Sequence, residues 1–444
     1  MIGIGVNLFS SEREGGAGIQ QVPPPSGFDW TPPINIYREG TTYSTDFVAA
    51  DWKIVPTATV WVSTTGNNAT GTGSQAQPWR EVDYALTQIA LLPDTDVQLN
   101  IVTGTYTFGQ GFAGQTCNKN INFIPQGGRV QNSNKFPLAT GVWTLDGTGT
   151  YKATRSTIVA VTDALQTTVW PDGAVLPKEL PLQASLAACQ ALPGSWYTDN
   201  VTVWVHRIDG SVPDGSATGP VSCIFNTAGM TMGFDVKWYV ENVDFIGATS
   251  NCVTINDASM STNARLLMVD CTGTLQNLNI GKTVAITGVP LTILKNFRVY
   301  GGKGDGLNYH IGATNAIDPK AIEIDCHAYN MGTAASDNTY NCTTSHENAR
   351  VVRINGHYSG SIGPVMADVT TAQTWNLGCA FGASTAGSAD SQDASAQTMN
   401  TAKAWLDGCT VSGSHYDLYA GNTSQIRYRN MTVSGLTFGN VGTY

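Results

Sequence analysis

The chain has 444 residues, with 48 glycines, only 13% charged residues and a formal net charge of −10. A charged fraction well below the roughly 25% of ordinary domains, with so much glycine, favours many short strands and tight turns over helix bundles. The negative charge argues against a general nucleic-acid or anionic-membrane binder, which needs a basic patch.

Residues 1–18 lack a basic stretch followed by an apolar one, so no secretory signal is read there, and no apolar run is long enough to span a bilayer. Synthesis in a host cytoplasm is the expectation. The nine cysteines are odd in number and include no CxxC pair, which suggests neither a disulfide framework nor a zinc site. No cofactor and no metal are expected.

Residues 1–56 differ from the rest. A Gly-rich stretch (Gly15, Gly16, Gly18) leads into Pro23, Pro24, Pro25, Pro32 and Pro33. Such a segment reads as an extended arm that either stays disordered or orders when it docks on a larger particle. The β-helix itself is assigned to residues 57–444.

From Val60 the pattern changes. Val60-Trp61-Val62 alternates like a strand, a Gly/Asn loop follows, and Trp79, Val82, Leu86, Ile89 and Ala90 recur at helical spacing. Val97–Val102 alternates again and runs into Gly104-Thr105-Tyr106. Strand, loop, short helix and a strand ending in Gly-Thr-Tyr resemble the opening of the pectin-lyase-like β-helix superfamily. That resemblance implies that the helix caps the open end of the solenoid. Residues 136–222 carry little repeat signal and read as an irregular insertion. Within it, Gly194–Gly215, with Val201–Val205 as a strand, resembles a hairpin of carbohydrate-active β-helix proteins.

From Lys237 onward eight segments align on a bend at Asn242, Asp270, Asn296, Asp325, Asn355, Gly378, Gly408 and Asn430. Successive bends are 28, 26, 29, 30, 23, 30 and 22 residues apart, a period expected of a solenoid. Asn, Asp and Gly are the residues that enter the left-handed conformation most cheaply, as a sharp bend between strands requires. The fold class is therefore all-β: a right-handed parallel β-helix with an N-terminal capping helix and an extended N-terminal arm.

One residue after each bend come Val243, Cys271, Phe297, Cys326, Gly356, Cys379, Cys409 and Met431; three after come Phe245, Gly273, Val299, Ala328, Tyr358, Phe381, Val411 and Val433. Both rows are largely apolar and should point inward, which makes four cysteines a buried ladder of small hydrophobes. The row between them should face solvent. It places Arg298, His327 and His357 in a stripe, with Tyr300 and Tyr329 beside it, and these five are the candidate glycan-binding residues. Glu323 and Arg353, each two before a bend, should form a surface ion pair worth little.

Asp270 and Asp325 fall in the bend row and shape turns. Four of the six histidines (His310, His327, His346 and His357) lie between residues 305 and 357. Asp305 in Gly304–His310, and Asp337 and Glu347 beside His346 in the long loop Ser336–Asn348, add carboxylates to them. Asp305, His310, His346 and Glu347 are the candidate catalytic set, since a histidine beside carboxylates can move protons and a carboxylate pair can cleave a glycosidic bond. Asp in Gly-Asp-Gly also serves as a plain turn residue.

Taken together, the chain resembles phage tailspike or tail-fibre proteins with a pectin-lyase-like β-helix. That resemblance implies a homotrimer on a virion, held to other virion proteins through residues 1–56, that binds or cleaves a host surface glycan without nucleic-acid binding or membrane insertion. The Asn-Thr-Asp and Gly-His-Gly signatures of the related polygalacturonases are missing. Two alternatives stand beside a spike with depolymerase activity: a non-enzymatic virion component using the solenoid as a display surface, and a free polysaccharide lyase or glycoside hydrolase.

Overall fold

A computed structural model describes residues 18–107, 111–112, 117–137, 142–213, 221–225, 229–232, 235–255, 262–277, 281–312, 316–332, 340–386 and 392–444. The chain forms a parallel β-solenoid of about 11 turns. Three sheets run its length. The first contains Lys237–Glu241, Arg265–Val269, Leu291–Lys295, Lys320–Ile324, Arg350–Ile354, Gln373–Leu377, Lys403–Asp407 and Gln425–Arg429. The second follows directly, as in Thr272–Gln276, Arg298–Gly302, His327–Met331 and His357–Ser359. The third includes Lys282–Thr287, Asp305–His310, Thr343–Ser345, Met366–Asp368, Ala394–Thr398 and Tyr416–Ala420.

The bend between the first and second sheets is the one the repeat marks. All eight of its residues, from Asn242 to Asn430, have φ between 52° and 63°. Their side chains also bond along the stack, as when Asn355 donates to Asp325 at 3.2 Å. The register follows: Thr272 pairs with Arg298, Arg298 with His327, and His327 with His357. Cys271, Cys326, Cys379 and Cys409 are buried in the interior, and all nine cysteines are free and buried.

The row two residues before the bend is a correction. Glu323 and Arg353 are not at the surface; both side chains are fully buried, 3.5 Å apart, inside the solenoid. The same row holds Val240, Met268, Leu294 and Leu406 in other rungs, all core residues. On this sheet the residues one and three before the bend face outward, yet they too are apolar: Ile322 and Ile324, Val352 and Ile354, Trp375 and Leu377. A sheet buried on both faces loses its polar alternation.

What covers that outer face is the N-terminal segment. Residues 18–56 do not stand away as an arm. They fold into a three-stranded antiparallel sheet, Gln20–Gln21, Ile36–Glu39 and Thr42–Thr45, lying on the first sheet of their own solenoid. Val22, Phe28, Ile34, Ile36 and Tyr43 form one apolar cluster with that outer face, and Phe28 packs against Trp375 and Trp405 at ring separations of 6.2 and 5.9 Å. Polar ties flank the cluster. Asp29 accepts from Arg350, and the Arg350 hydrogen bonds hold its carboxyl below the usual carboxylate range. Arg265 donates to the Trp52 carbonyl at 2.6 Å and stacks on the indole.

The helix expected near residue 82 is α1, Val82–Leu91, with Val82, Ala85, Leu86 and Ile89 buried among the first rungs. The insertion is not irregular. The solenoid ladder passes from Asn120–Ser133 straight to Lys237–Glu241, with Trp238 opposite Ile121. Between them lie two four-stranded antiparallel sheets and a short helix, α2 (Leu186–Ala191). One sheet holds the expected hairpin, Ser195–Thr198 with Thr202–His206. The unit has its own core of Trp143, Val161, Trp196, Val203, Val205 and Cys223, and a buried Arg207–Asp163 pair at 2.9 Å.

Candidate functional site

The insertion decides the fate of the Arg298–His327–His357 stripe. The hairpin of Ile158–Val169 and Val175–Glu179 carries Trp170 and Asp172 at its tip and lays them over this row. Tyr300 donates to Asp172 at 2.7 Å and packs on Trp170 at 5.4 Å between rings. Asp172 also lies 3.7 Å from Arg298 and 3.6 Å from His327. Burial opposes ionisation of Asp172, but the Tyr300 hydroxyl, the Ala174 N–H and the neighbouring His327 and Arg298 outweigh it and hold its carboxyl below the usual range. Burial, together with Arg298 and His357, takes His327 down to about 4 against the pull of Asp172.

The five expected glycan-binding residues are therefore brought together, in the expected register, but not as an open face. Tyr300 and Tyr329 are buried, Arg298 and His327 are half-buried, and His357 is exposed. Tyr329 shares a 3.1 Å hydrogen bond with His327. A cleft of about 240 Å³ between the hairpin and the second sheet is lined by Trp170, Tyr300, Lys303 and Glu179 among others.

The four expected catalytic residues also meet, at the third sheet. Leu307 and Tyr309 point into the core, as alternation required, and within the strand Asp305–His310 only His310 is not buried, Asn308 being covered. Asp305 accepts from the Asn341 N–H at 2.9 Å and from the Asn308 amide at 2.8 Å. That amide nitrogen is 3.5 Å from His346 Nε2. The His346 ring stacks on His310, centroids 3.8 Å apart and planes 16° apart. His310 Nδ1 is 3.2 Å from Glu347 Oε2, which also accepts the Ile311 N–H at 3.3 Å. Asp337, the remaining acid of this loop, lies outside the described residues.

Electrostatics grade this chain from floor to surface. Burial pushes the Asp305 carboxyl up to about 6, against the Asn341 N–H, Lys282 and Asn308. Burial, then His310 and Lys282, lowers His346 to about 3. His310 is lowered as well, by burial and Lys282, against the pull of Glu347. Both imidazoles are therefore neutral at pH 7. His310 and Glu347 are each about a third exposed, while Asp305 is buried, so the histidine–carboxylate pair is the part that solvent reaches.

One feature of this edge carried no readable sequence signal. A second left-handed bend follows the third sheet, at Glu347, Thr370, Asn400 and Asn422, with φ of 45°, 60°, 62° and 58°. The first three bend N–H groups are each accepted by the side chain of the next rung: Glu347 by Thr370 at 2.6 Å, Thr370 by Asn400 at 3.3 Å, and Asn400 by Asn422 at 3.2 Å. The next residues, Asn348, Thr371, Thr401 and Thr423, continue the row, and all three threonines are exposed. His310 and Glu347 thus sit at the head of a ladder of hydroxyl and amide groups parallel to the solenoid axis. Farther along the third sheet, Tyr419 and Phe438 stack at 4.6 Å, with Phe438 48% exposed.

No protein-family model and no curated protein matches the sequence. Among solved structures, one named "Glycoside hydrolase" is 9% identical, with 87% of this chain and 96% of that chain covered and a TM-score of 0.47. Another, described as "The complex structure of XylC with xylose", is 10% identical, with 86% of this chain and 69% of that chain covered and a TM-score of 0.49.

Proposed function

We propose that this chain binds a polysaccharide along the Thr/Asn edge and cleaves it beside His310 and Glu347. The observation that carries the reading is the placement of a neutral, part-exposed histidine against a carboxylate at the head of that polar ladder. Rungs recur every ~4.8 Å, so the hydroxyl and amide row offers repeated partners to the hydroxyls of a linear glycan. His310 takes or delivers the proton, Glu347 orients its ring, and Asp305, Asn308 and His346 hold the pair from below. The Tyr419–Phe438 stack supplies an aromatic surface for a sugar ring.

The test is incubation with capsular polysaccharide or lipopolysaccharide. Release of reducing ends or unsaturated uronates is expected, with loss of at least about a hundredfold in His310→Ala. The unsaturated product marks elimination; reducing ends alone mark hydrolysis. Release that persists undiminished in His310→Ala and Glu347→Gln removes the site.

The finer reading is that the solenoid is carried on a virus particle as a trimeric spike. What supports it is the Gly-rich stretch ahead of the prolines. Residues 18–56 are committed to the solenoid, so attachment narrows to residues 1–17, which lie outside the described residues. Particles assembled with a chain lacking 1–17 should lose the protein.

A further inference from the structure

His310, His346 and Glu347 come from two successive rungs, and a donor atom from each lies within 4.8 Å of the others. His310 Nδ1 and Glu347 Oε2 are 3.2 Å apart. Two ligands bound at 2.0–2.1 Å to one tetrahedral ion stand roughly 3.3 Å apart, so this pair already has the required spacing. We propose that these three side chains hold one divalent transition-metal ion of the zinc class.

Two imidazoles and one carboxylate suit Zn²⁺, Co²⁺ or Fe²⁺ rather than Mg²⁺ or Ca²⁺, which take oxygen donors. Three protein ligands leave a further position open, and the partial exposure of His310 and Glu347 places it toward solvent and gives the ion a way in. Support behind the ligands is present as well. The Asn308 amide nitrogen donates to Asp305 at 2.8 Å and stands 3.5 Å from His346 Nε2, which favours the tautomer whose Nε2 is unprotonated and able to ligate. Asn308 is fully buried, and its Oδ1 has no hydrogen-bond partner among the described residues.

Glu347 completes its bend by accepting the Ile311 N–H, and that alone explains a carboxylate there. It does not explain two imidazoles stacked beside it, nor a glutamate with φ of 45° where the other bends carry Thr or Asn. The stacked rings must turn about their side-chain bonds for their lone pairs to converge. The ladder holds both backbones in place, with His346 N–H donating to the Tyr309 carbonyl at 2.9 Å.

The ion does not depend on the glycan reading: when bound, it would take the His310 and Glu347 atoms that otherwise pair with each other, and its test contains no sugar. Tag-free full-length protein, stripped with chelator while folded so that its nine buried thiols stay inaccessible, is titrated with Zn²⁺ by calorimetry and with Co²⁺ by visible absorption. One equivalent should bind. His310→Ala and Glu347→Gln should each weaken binding about tenfold or more, and His415→Ala, outside the cluster, should not. Metal-free melting curves matching wild type show that the two part-exposed variants fold. Absence of stoichiometric binding, or binding untouched by both substitutions, overturns the proposal.

Discussion

Arg353 and Glu323 face each other across 3.5 Å in the interior of the solenoid, with neither side chain reaching solvent. Arg353 also donates to Thr343 at 3.0 Å, to Ser345 at 2.8 Å and to Asn376 at 3.2 Å, and lies 3.4 Å from Asp368. Glu323 accepts from Tyr309 at 2.9 Å, from Thr343 and from Tyr358. Burial draws the guanidinium pKa down, but the Asp368 and Glu323 carboxylates outweigh it and leave it raised, so Arg353 stays charged.

A charge removed from such a network strands its partners. Arg353→Met should cost about 3–5 kcal/mol, since two carboxylates are left buried without their cation. Adding Glu323→Leu and Asp368→Leu to that variant should recover most of the loss, because well-packed apolar groups replace a buried ionic cluster at little cost. Chemical denaturation of wild type, the single variant and the triple variant measures this. A single variant no less stable than wild type would show that the network is not intact in solution.

The two glycines in the bend row have a cause beyond backbone freedom. A Cβ at Gly408 would come within 2.8 Å of the Tyr43 ring, and one at Gly378 meets the same ring at 2.8 Å. Asn355, in the preceding rung, donates to the Tyr43 carbonyl at 3.0 Å. The N-terminal segment therefore fills the space that an Asn side chain uses in other rungs. Gly408→Asn, although Asn tolerates this φ elsewhere in the row, should destabilise by about 1–3 kcal/mol through overpacking. In a Tyr43→Ala background the same substitution should cost much less. Equal penalties in the two backgrounds would mean that Tyr43 does not dictate the glycine.

These two cases mark what the residues disclose. Bends at Asn242 through Asn430 were legible because one backbone requirement, positive φ, restricts residue type in every rung. Outer and inner faces of the first sheet were not, because Ile322 and Ile324 lie under Phe28 and its neighbours while Glu323 points inward. Polarity normally separates the faces, and here both the cover and the buried charge reverse it. His310 and His346 are distant in sequence, and only the register that pairs Tyr309 with Ser345 brings their rings together. The cover over Tyr300 and His327 comes from Trp170 and Asp172, whose position no repeat could reveal.

The docked N-terminal segment should be part of the folding unit. Phe28 is 7% exposed and packs on Trp375 and Trp405. Phe28→Ala should lower stability by about 3 kcal/mol. Deleting residues 1–56 should expose the outer faces of Ile322, Val352 and Trp375 and cause association at working concentrations, detectable by light scattering. A truncated chain that stays monodisperse and melts like the full one would show that the segment is dispensable.

His327 and Asp305 should tilt stability with pH in opposite senses. His327 is lowered to about 4 from an ordinary value near 6.5, with Arg298, His357, Asp172 and the Tyr329 hydroxyl around it. The folded state resists its protonation, so its contribution is full above pH 6.5 and declines as pH falls through that value toward 4. Asp305 is raised to about 6 from 3.8, so its contribution is full below pH 3.8 and is lost as pH rises through about 6. Between pH 7 and 4 these two groups therefore act in opposite senses, and His346 and His310, lowered as well, add to the loss. His327→Gln should reduce the loss on the acid side, and Asp305→Asn should flatten the gain. Melting temperatures of the three proteins at several pH values across this range provide the check. His327→Gln melting in parallel with wild type throughout would show that this imidazole is not held neutral by its burial under the Asp172 hairpin.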